Sequence, residues 1–122
     1  MAYIRCGGGG GTPTITRIAK VDYATAGSSS QPGTVYTKSG LDPNKQYIVV
    51  ATGTSNCTND DGYIAINSSS TRVFIPTYST SAANGTVSSV ITGVSSIPIL
   101  LGWVNSHTNV WFKYSVTIYQ VA

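Results

Sequence analysis

The sequence predicts an all-β domain: an antiparallel two-sheet β-sandwich, jelly-roll-like, with about nine short strands and no significant helix. Three observations predict it. Apolar side chains recur with period two rather than 3.6. Turn formers interrupt them at the ~8 to 12 residue spacing of sandwiches and barrels. The long windows without Gly or Pro are dominated by β-branched and aromatic residues, whose restricted χ1 suits a pleated sheet and disfavours a helix. With 122 residues, 41% of them hydrophobic and 9% charged, the chain is long enough for one buried core and too apolar for a disordered chain. Glu is absent; Ser, Thr, Asn and Gly supply the polar surface and the turns.

The elements follow in order. Residues 1–6 read as a short strand, and the five glycines Gly7, Gly8, Gly9, Gly10 and Gly11 that follow lose too much backbone entropy to hold regular structure alone. Residues 1–12 are therefore expected to form a strand and Gly-rich arm, and residues 13–122 a single sandwich domain. Residues 14–23 form the next strand, with Ile15, Ala19, Val21 and Tyr23 on one face and Lys20 on the other; Ile18 breaks the alternation, which predicts a bulge. A Ser-rich loop with a Pro-Gly pair leads to a short strand at 35–38, closed by Ser39-Gly40 and the Asp42-Pro43-Asn44 turn. The run 47–52 is apolar at both parities and is expected to be a central strand buried on two sides.

Asn59-Asp60-Asp61-Gly62 supplies a hairpin-type turn into a strand at 63–67. Strands at 72–77, 86–92 and 97–104 follow. The clearest strand is 111–121, where Phe112, Tyr114, Val116 and Ile118 alternate with Lys113, Ser115 and Thr117. Short connections favour antiparallel pairing, and no fixed-period repeat points to a solenoid or propeller.

The formal charge of +3 comes from Arg5, Arg17, Lys20, Lys38, Lys45, Arg72 and Lys113. They are scattered, and strict alternation places Arg17 and Lys20 on opposite faces, so no basic stripe for nucleic acid is expected. No stretch approaches the ~20 apolar residues of a membrane span, and residues 1–6 lack the apolar core of a secretory signal, so synthesis in a cytoplasm without membrane insertion is expected. Cys6 and Cys57 lack CxxC spacing and read as reduced structural thiols. The sequons at Asn56, Asn67 and Asn84 are expected by chance in a chain this rich in Ser and Thr.

Catalytic chemistry finds little support. The one histidine, His107, falls in the loop 105–109 and reads as exposed; no GxSxG elbow accompanies it. The carboxylates are Asp22, Asp42, Asp60 and Asp61, with no spacing that pairs them for acid–base work on a glycoside. Asn59, Asp60 and Asp61 have a second reading as calcium ligands, although ordinary turn chemistry accounts for them. No catalytic residue, cofactor or metal is therefore assigned. The candidate contacts for a glycan or receptor are Trp103, Asn105, His107, Asn109 and Trp111, because aromatic faces stack on pyranoses and amides at a hairpin tip bond their hydroxyls. The candidate assembly contacts are Tyr3, Ile4 and Gly7 to Gly11.

The Gly-rich segment, the strand entry Leu41-Asp42-Pro43-Asn44-Lys45-Gln46-Tyr47-Ile48-Val49-Val50, the Ser/Thr-rich short strands and the terminal Trp111-Phe112-Lys113-Tyr114-Ser115-Val116-Thr117-Ile118-Tyr119 resemble small domains of tailed-phage and prophage virion proteins. The resemblance implies a sandwich that oligomerises, as a trimer by preference, on a virion surface beside other virion proteins. It also implies a tail-fibre tip, receptor-binding head or capsid decoration, with a cell-surface glycan as a candidate partner. A free carbohydrate-binding module is the alternative, and a glycoside-acting enzyme using aspartates the remote one.

Overall fold

The computed structural model describes residues 14–27, 33–77, 82–105, 107 and 109–122. These form eight strands: β1 (Ile15–Gly27), β2 (Gly33–Lys38), β3 (Gln46–Ser55), β4 (Gly62–Ile66), β5 (Val73–Phe74), β6 (Ala83–Thr92), β7 (Ile97–Trp103) and β8 (Phe112–Val121). A 3-10 turn, Ser69–Thr71, is capped at its start by the Ser68 hydroxyl. Among the described residues the strand count is eight, not nine. The ninth expected strand, residues 1–6, lies outside the described residues, as do Cys6 and the candidate assembly contacts Tyr3, Ile4 and Gly7 to Gly11.

Two four-stranded antiparallel sheets pack face to face, in the orders β1-β8-β3-β6 (sheet A) and β2-β7-β4-β5 (sheet B). The first strand pairs with the last, the second with the seventh, the third with the sixth and the fourth with the fifth. The chain is thus one long hairpin rolled across two layers, closed by the β3–β8 and β4–β7 pairings. That is the jelly-roll order.

The core lies between the sheets. Tyr47, Val49 and Ala51 of β3 and Phe112, Tyr114, Val116 and Ile118 of β8 meet Ile64 and Ile66 of β4 and Ile97, Ile99 and Leu101 of β7. Burial alternates along β8 as the sequence predicts. At Gly53 the layers approach so closely that an added Cβ would lie 3.0 Å from Leu101 Cδ2 and 3.1 Å from Ile64 Cβ.

Several boundaries differ from expectation for physical reasons. β1 continues to Gly27 because Ala24 and Ala26 keep packing on the core. β5 shrinks from the expected six residues to Val73–Phe74: Pro76 has no N–H to give a ladder, although Ile75 still donates to the Gly62 carbonyl at 2.8 Å. β3 is central in its sheet but is buried on one face only, with Val50 36% exposed. The strand buried on both faces is β4.

Candidate functional site

In this topology the β3–β4 and β7–β8 connections meet at one end of the sandwich. Asn59 and Asp60 both adopt positive φ, +62° and +56°, and the Asp61 N–H donates to the Thr58 carbonyl at 3.3 Å. Short Asn and Asp side chains tolerate this left-handed backbone, and the turn carries the chain from β3 in sheet A to β4 in sheet B. The turn leaves Asn59 and Asp60 in solvent and carries Asp61 inward.

Asp61 Oδ2 accepts from His107 Nε2 at 2.7 Å and from Asn105 Nδ2 at 3.2 Å, while the Asp61 carbonyl accepts from the Val104 N–H at 3.0 Å. The His107 and Asp61 side chains are only 10% and 12% exposed. The hydrogen bond from His107, and after it that from Asn105, holds the Asp61 carboxyl below its usual range. Behind the pair, Trp103 stacks on Phe112 with centroids 6.0 Å apart and meets His107 edge-on at 6.1 Å.

A second lace closes the same end. Asn56 donates to the Asn109 carbonyl at 3.3 Å and accepts from the Trp111 N–H at 2.9 Å. Thr77 donates to the Cys57 carbonyl, so the chain beyond β5 is tied in as well. Cys57 is free and buried, and desolvation, with the nearby Asp61 charge, pushes its thiol up to about 11. At neutral pH it carries no reactive thiolate.

The structure brings the five candidate contact residues to one end and engages each in contacts within the chain, with Asn105 and Asn109 still exposed. His107 is not an exposed loop histidine: it is buried against Asp61. Trp103 is 9% exposed and offers no free ring face for a sugar. Asn105 directs its amide at Asp61, and Asn109 lends its carbonyl to Asn56. Trp111 is half-buried, its ring 5.8 Å from the Lys113 ammonium. An imidazole held by a carboxylate is two-thirds of a hydrolytic triad, but among the described residues the hydrogen bond of His107 is to Asp61 and not to a hydroxyl. What the cluster does on this geometry is lock two loops together. Asp22 stands elsewhere, on β1, in an ion pair with Lys20 at 3.4 Å. Among the described residues no three His, Cys, Asp or Glu side chains gather.

The outer face of sheet A is a second region, and here the structure corrects the sequence reading. Ile18 does form a bulge, since the β1–β8 register slips between Arg17 and Ala19. The slip sets Arg17 opposite Tyr119 and Lys20 opposite Thr117. Opposed residues share a face, and Tyr119 and Thr117 are two apart on β8, so Arg17 and Lys20 project from the same side. A further slip between Val21 and Ala24 sets two residues, Asp22 and Tyr23, against the single Ser115 of β8. Tyr23 adopts φ +49°, donates its backbone N–H to Ser115 Oγ at 3.0 Å and is 56% exposed, not turned toward the core with Val21 as alternation suggests. Its ring lies 5.0 Å from the Lys113 ammonium.

Across the rest of that face, Ile48 of β3 stands between Val90 of β6 and Tyr119 of β8, and Val50 stands between Ser88 and Thr117. Thr52 and Thr86 share a hydrogen bond at 3.0 Å, and Thr54 donates to Asn84 at 2.6 Å. The face thus has a neutral half, with Val50 36% and Val90 45% exposed, and a charged half on β1 and β8. Comparison with known protein families, curated proteins and solved structures found no match for this chain.

Proposed function

We propose that this chain is a non-catalytic assembly and attachment subunit of a virion, of tail-fibre, receptor-binding or capsid-decoration type, working as a homo-oligomer. The observation that supports the reading is the neutral half of the sheet A face. Ile48, Val50 and Val90 form a β-branched apolar patch on a paired sheet, ringed by threonines and serines. Contiguous apolar surface rimmed by polar groups is what a partner surface requires. Strands with good β propensity and few charges also suit face-to-face packing on a second copy. The loop end, by contrast, spends its His, Asp and Trp side chains on internal contacts.

Size-exclusion chromatography with light scattering tests this. The expected result is a stable oligomer, a trimer by preference, that dissociates in a Val50→Glu/Val90→Glu double variant with an unchanged circular dichroism spectrum. A monomer at high concentration in the parent chain would overturn it.

A further inference from the structure

We propose that the charged half of the sheet A face, centred on Tyr23 and flanked by Arg17, Lys20 and Lys113, binds an extended acidic polysaccharide. The inference deepens the attachment reading by naming a ligand class, and it rests on that reading only for its biological setting.

The face carries the needed chemistry in a line. Arg17 stands beside Tyr119, Lys20 beside Thr117, Tyr23 beside Ser115, and Lys113 beside Thr25. From the Tyr119 row to the Lys113 row is six strand residues, a run of roughly 20 Å at the ordinary rise per residue. Arg17, Lys20 and Tyr23 are exposed, and Lys113 is half-buried between the Tyr23 and Trp111 rings, at 5.0 and 5.8 Å. Cations at both ends, an open aromatic ring between them and hydroxyls beneath are what a sugar chain with carboxylates calls for. The ring offers a face for sugar C–H groups, Ser115 and Thr117 bond hydroxyls, and Arg17, Lys20 and Lys113 take the acid groups.

The backbone supports the same assignment. Tyr23 is a bulky non-glycine residue held at φ +49° inside a bulge that turns its side chain out to solvent. Left-handed backbone at such a residue is unfavourable, and strain of this kind, like bulges, concentrates where a side chain must be aimed at a ligand.

Charge density chooses between a polysaccharide and a nucleic acid. A nucleic-acid strand places a phosphate every ~3.4 Å, about six over this span. The face offers three cations, and Asp22, 75% exposed, sits among them in an ion pair with Lys20. Three cations and a carboxylate match an acidic sugar chain whose carboxylates are spaced by neutral sugars.

The test is titration of the full chain with hyaluronate, heparosan and unsulfated chondroitin, whose carboxylates alternate with neutral sugars, read by calorimetry and Trp fluorescence. Methyl-esterified hyaluronate serves as the neutral comparator and oligothymidylate as the nucleic-acid comparator. The expected result is binding to at least one acidic polymer, at least tenfold weaker binding to the neutral ester, and at least tenfold loss in Lys20→Gln/Lys113→Gln. Tyr23→Ala should lose binding likewise, and so should Tyr23→Asn, whose side chain tolerates the left-handed backbone and guards against misfolding. Lys38→Gln/Arg72→Gln, the same loss of two positive charges on the sheet B side, should bind as the parent does. Failure to bind all three polymers, equal binding of acid and ester, tighter binding of oligothymidylate, or undiminished binding in the double variant would each overturn the proposal. An oligomeric chain that ignores every acidic polymer would leave the assembly reading standing and remove this one.

Discussion

The two sheets treat their outer faces in opposite ways. On sheet A the outward residues of the central strand β3 reach solvent: Ile48 is half-buried and Val50 is exposed. On sheet B the outward residues of the central strand β4, Tyr63 and Ala65, are 7% and 0% exposed. The covering chemistry comes from the chain that leaves β4. Asn67 donates its N–H to the Pro98 carbonyl at 2.8 Å, Thr71 reaches the Ile66 carbonyl at 2.5 Å, and the Arg72 guanidinium lies 5.1 Å from the Tyr63 ring centroid. At its central strand sheet B therefore covers itself, although Phe74 of the edge strand β5 stays 42% exposed, whereas sheet A leaves the threonines, valines and cations around its central strand open. Under the proposed assembly, that uncovered central strand is the face left for a partner.

The sharpest way to break that contrast is to truncate the equivalent outward side chains. Tyr63→Ala removes an aromatic ring packed on Phe74 at 6.2 Å and on Arg72, and is expected to cost about 3 kcal/mol of unfolding free energy. Val50→Ala, equally outward and equally central, should cost under about 1 kcal/mol in the isolated chain, because its side chain is already partly in water. Urea denaturation of the two variants checks both values. Similar losses would mean that the sheet A face is as structural as the sheet B face.

Much of this fold was legible from residues alone, and the failures have a common cause. The alternation from Phe112 to Ile118 is read off directly because β8 has a partner on each side and no irregularity. The turn at Asn59 and Asp60 is local chemistry, and the bulge at Ile18 announces itself as a break in period. What local pattern cannot give is the consequence of the bulge: a one-residue slip exchanges faces for everything beyond it. That slip is what joins Arg17 to Lys20. Nor can it show which of two apolar strands is covered twice, since β3 and β4 read alike until the chain from Asn67 to Arg72 folds back on one of them. The Asp61–His107 pair lies 46 residues apart in sequence and depends on two connections between the sheets meeting at one end. Its only local signal is a lone histidine in a connection that the rolled topology sets beside an acidic turn.

That clamp sharpens the comparison from a third side, because it fixes the loop end without touching either outer face. The hydrogen bonds from His107 and Asn105 favour the carboxylate, so Asp61 binds a proton more weakly in the folded chain than in the unfolded one. Its stabilisation is therefore complete above the unfolded carboxyl value of about 4 and is lost as pH falls through the lower folded value. Thermal melts of the parent chain should fall more steeply below pH ~4 than those of Asp61→Asn, which cannot titrate. Parallel curves across that range would show that the clamp contributes nothing to folding.

The smallest expected effect concerns what seals sheet B. Arg72 spans the Tyr63 and Phe74 rings at 5.1 and 5.3 Å while remaining exposed, so its cation–π contacts are worth about 0.5–1 kcal/mol. Arg72→Ala should lose that amount and raise the accessibility of Tyr63, read as increased quenching of its fluorescence by iodide in a background lacking other exposed tyrosines. Arg72→Lys should recover part of the stability but less of the shielding, because an ammonium covers less ring than a planar guanidinium. If Arg72→Ala leaves Tyr63 as protected as before, the seal belongs to the Phe74 ring and the 3-10 turn and not to the guanidinium.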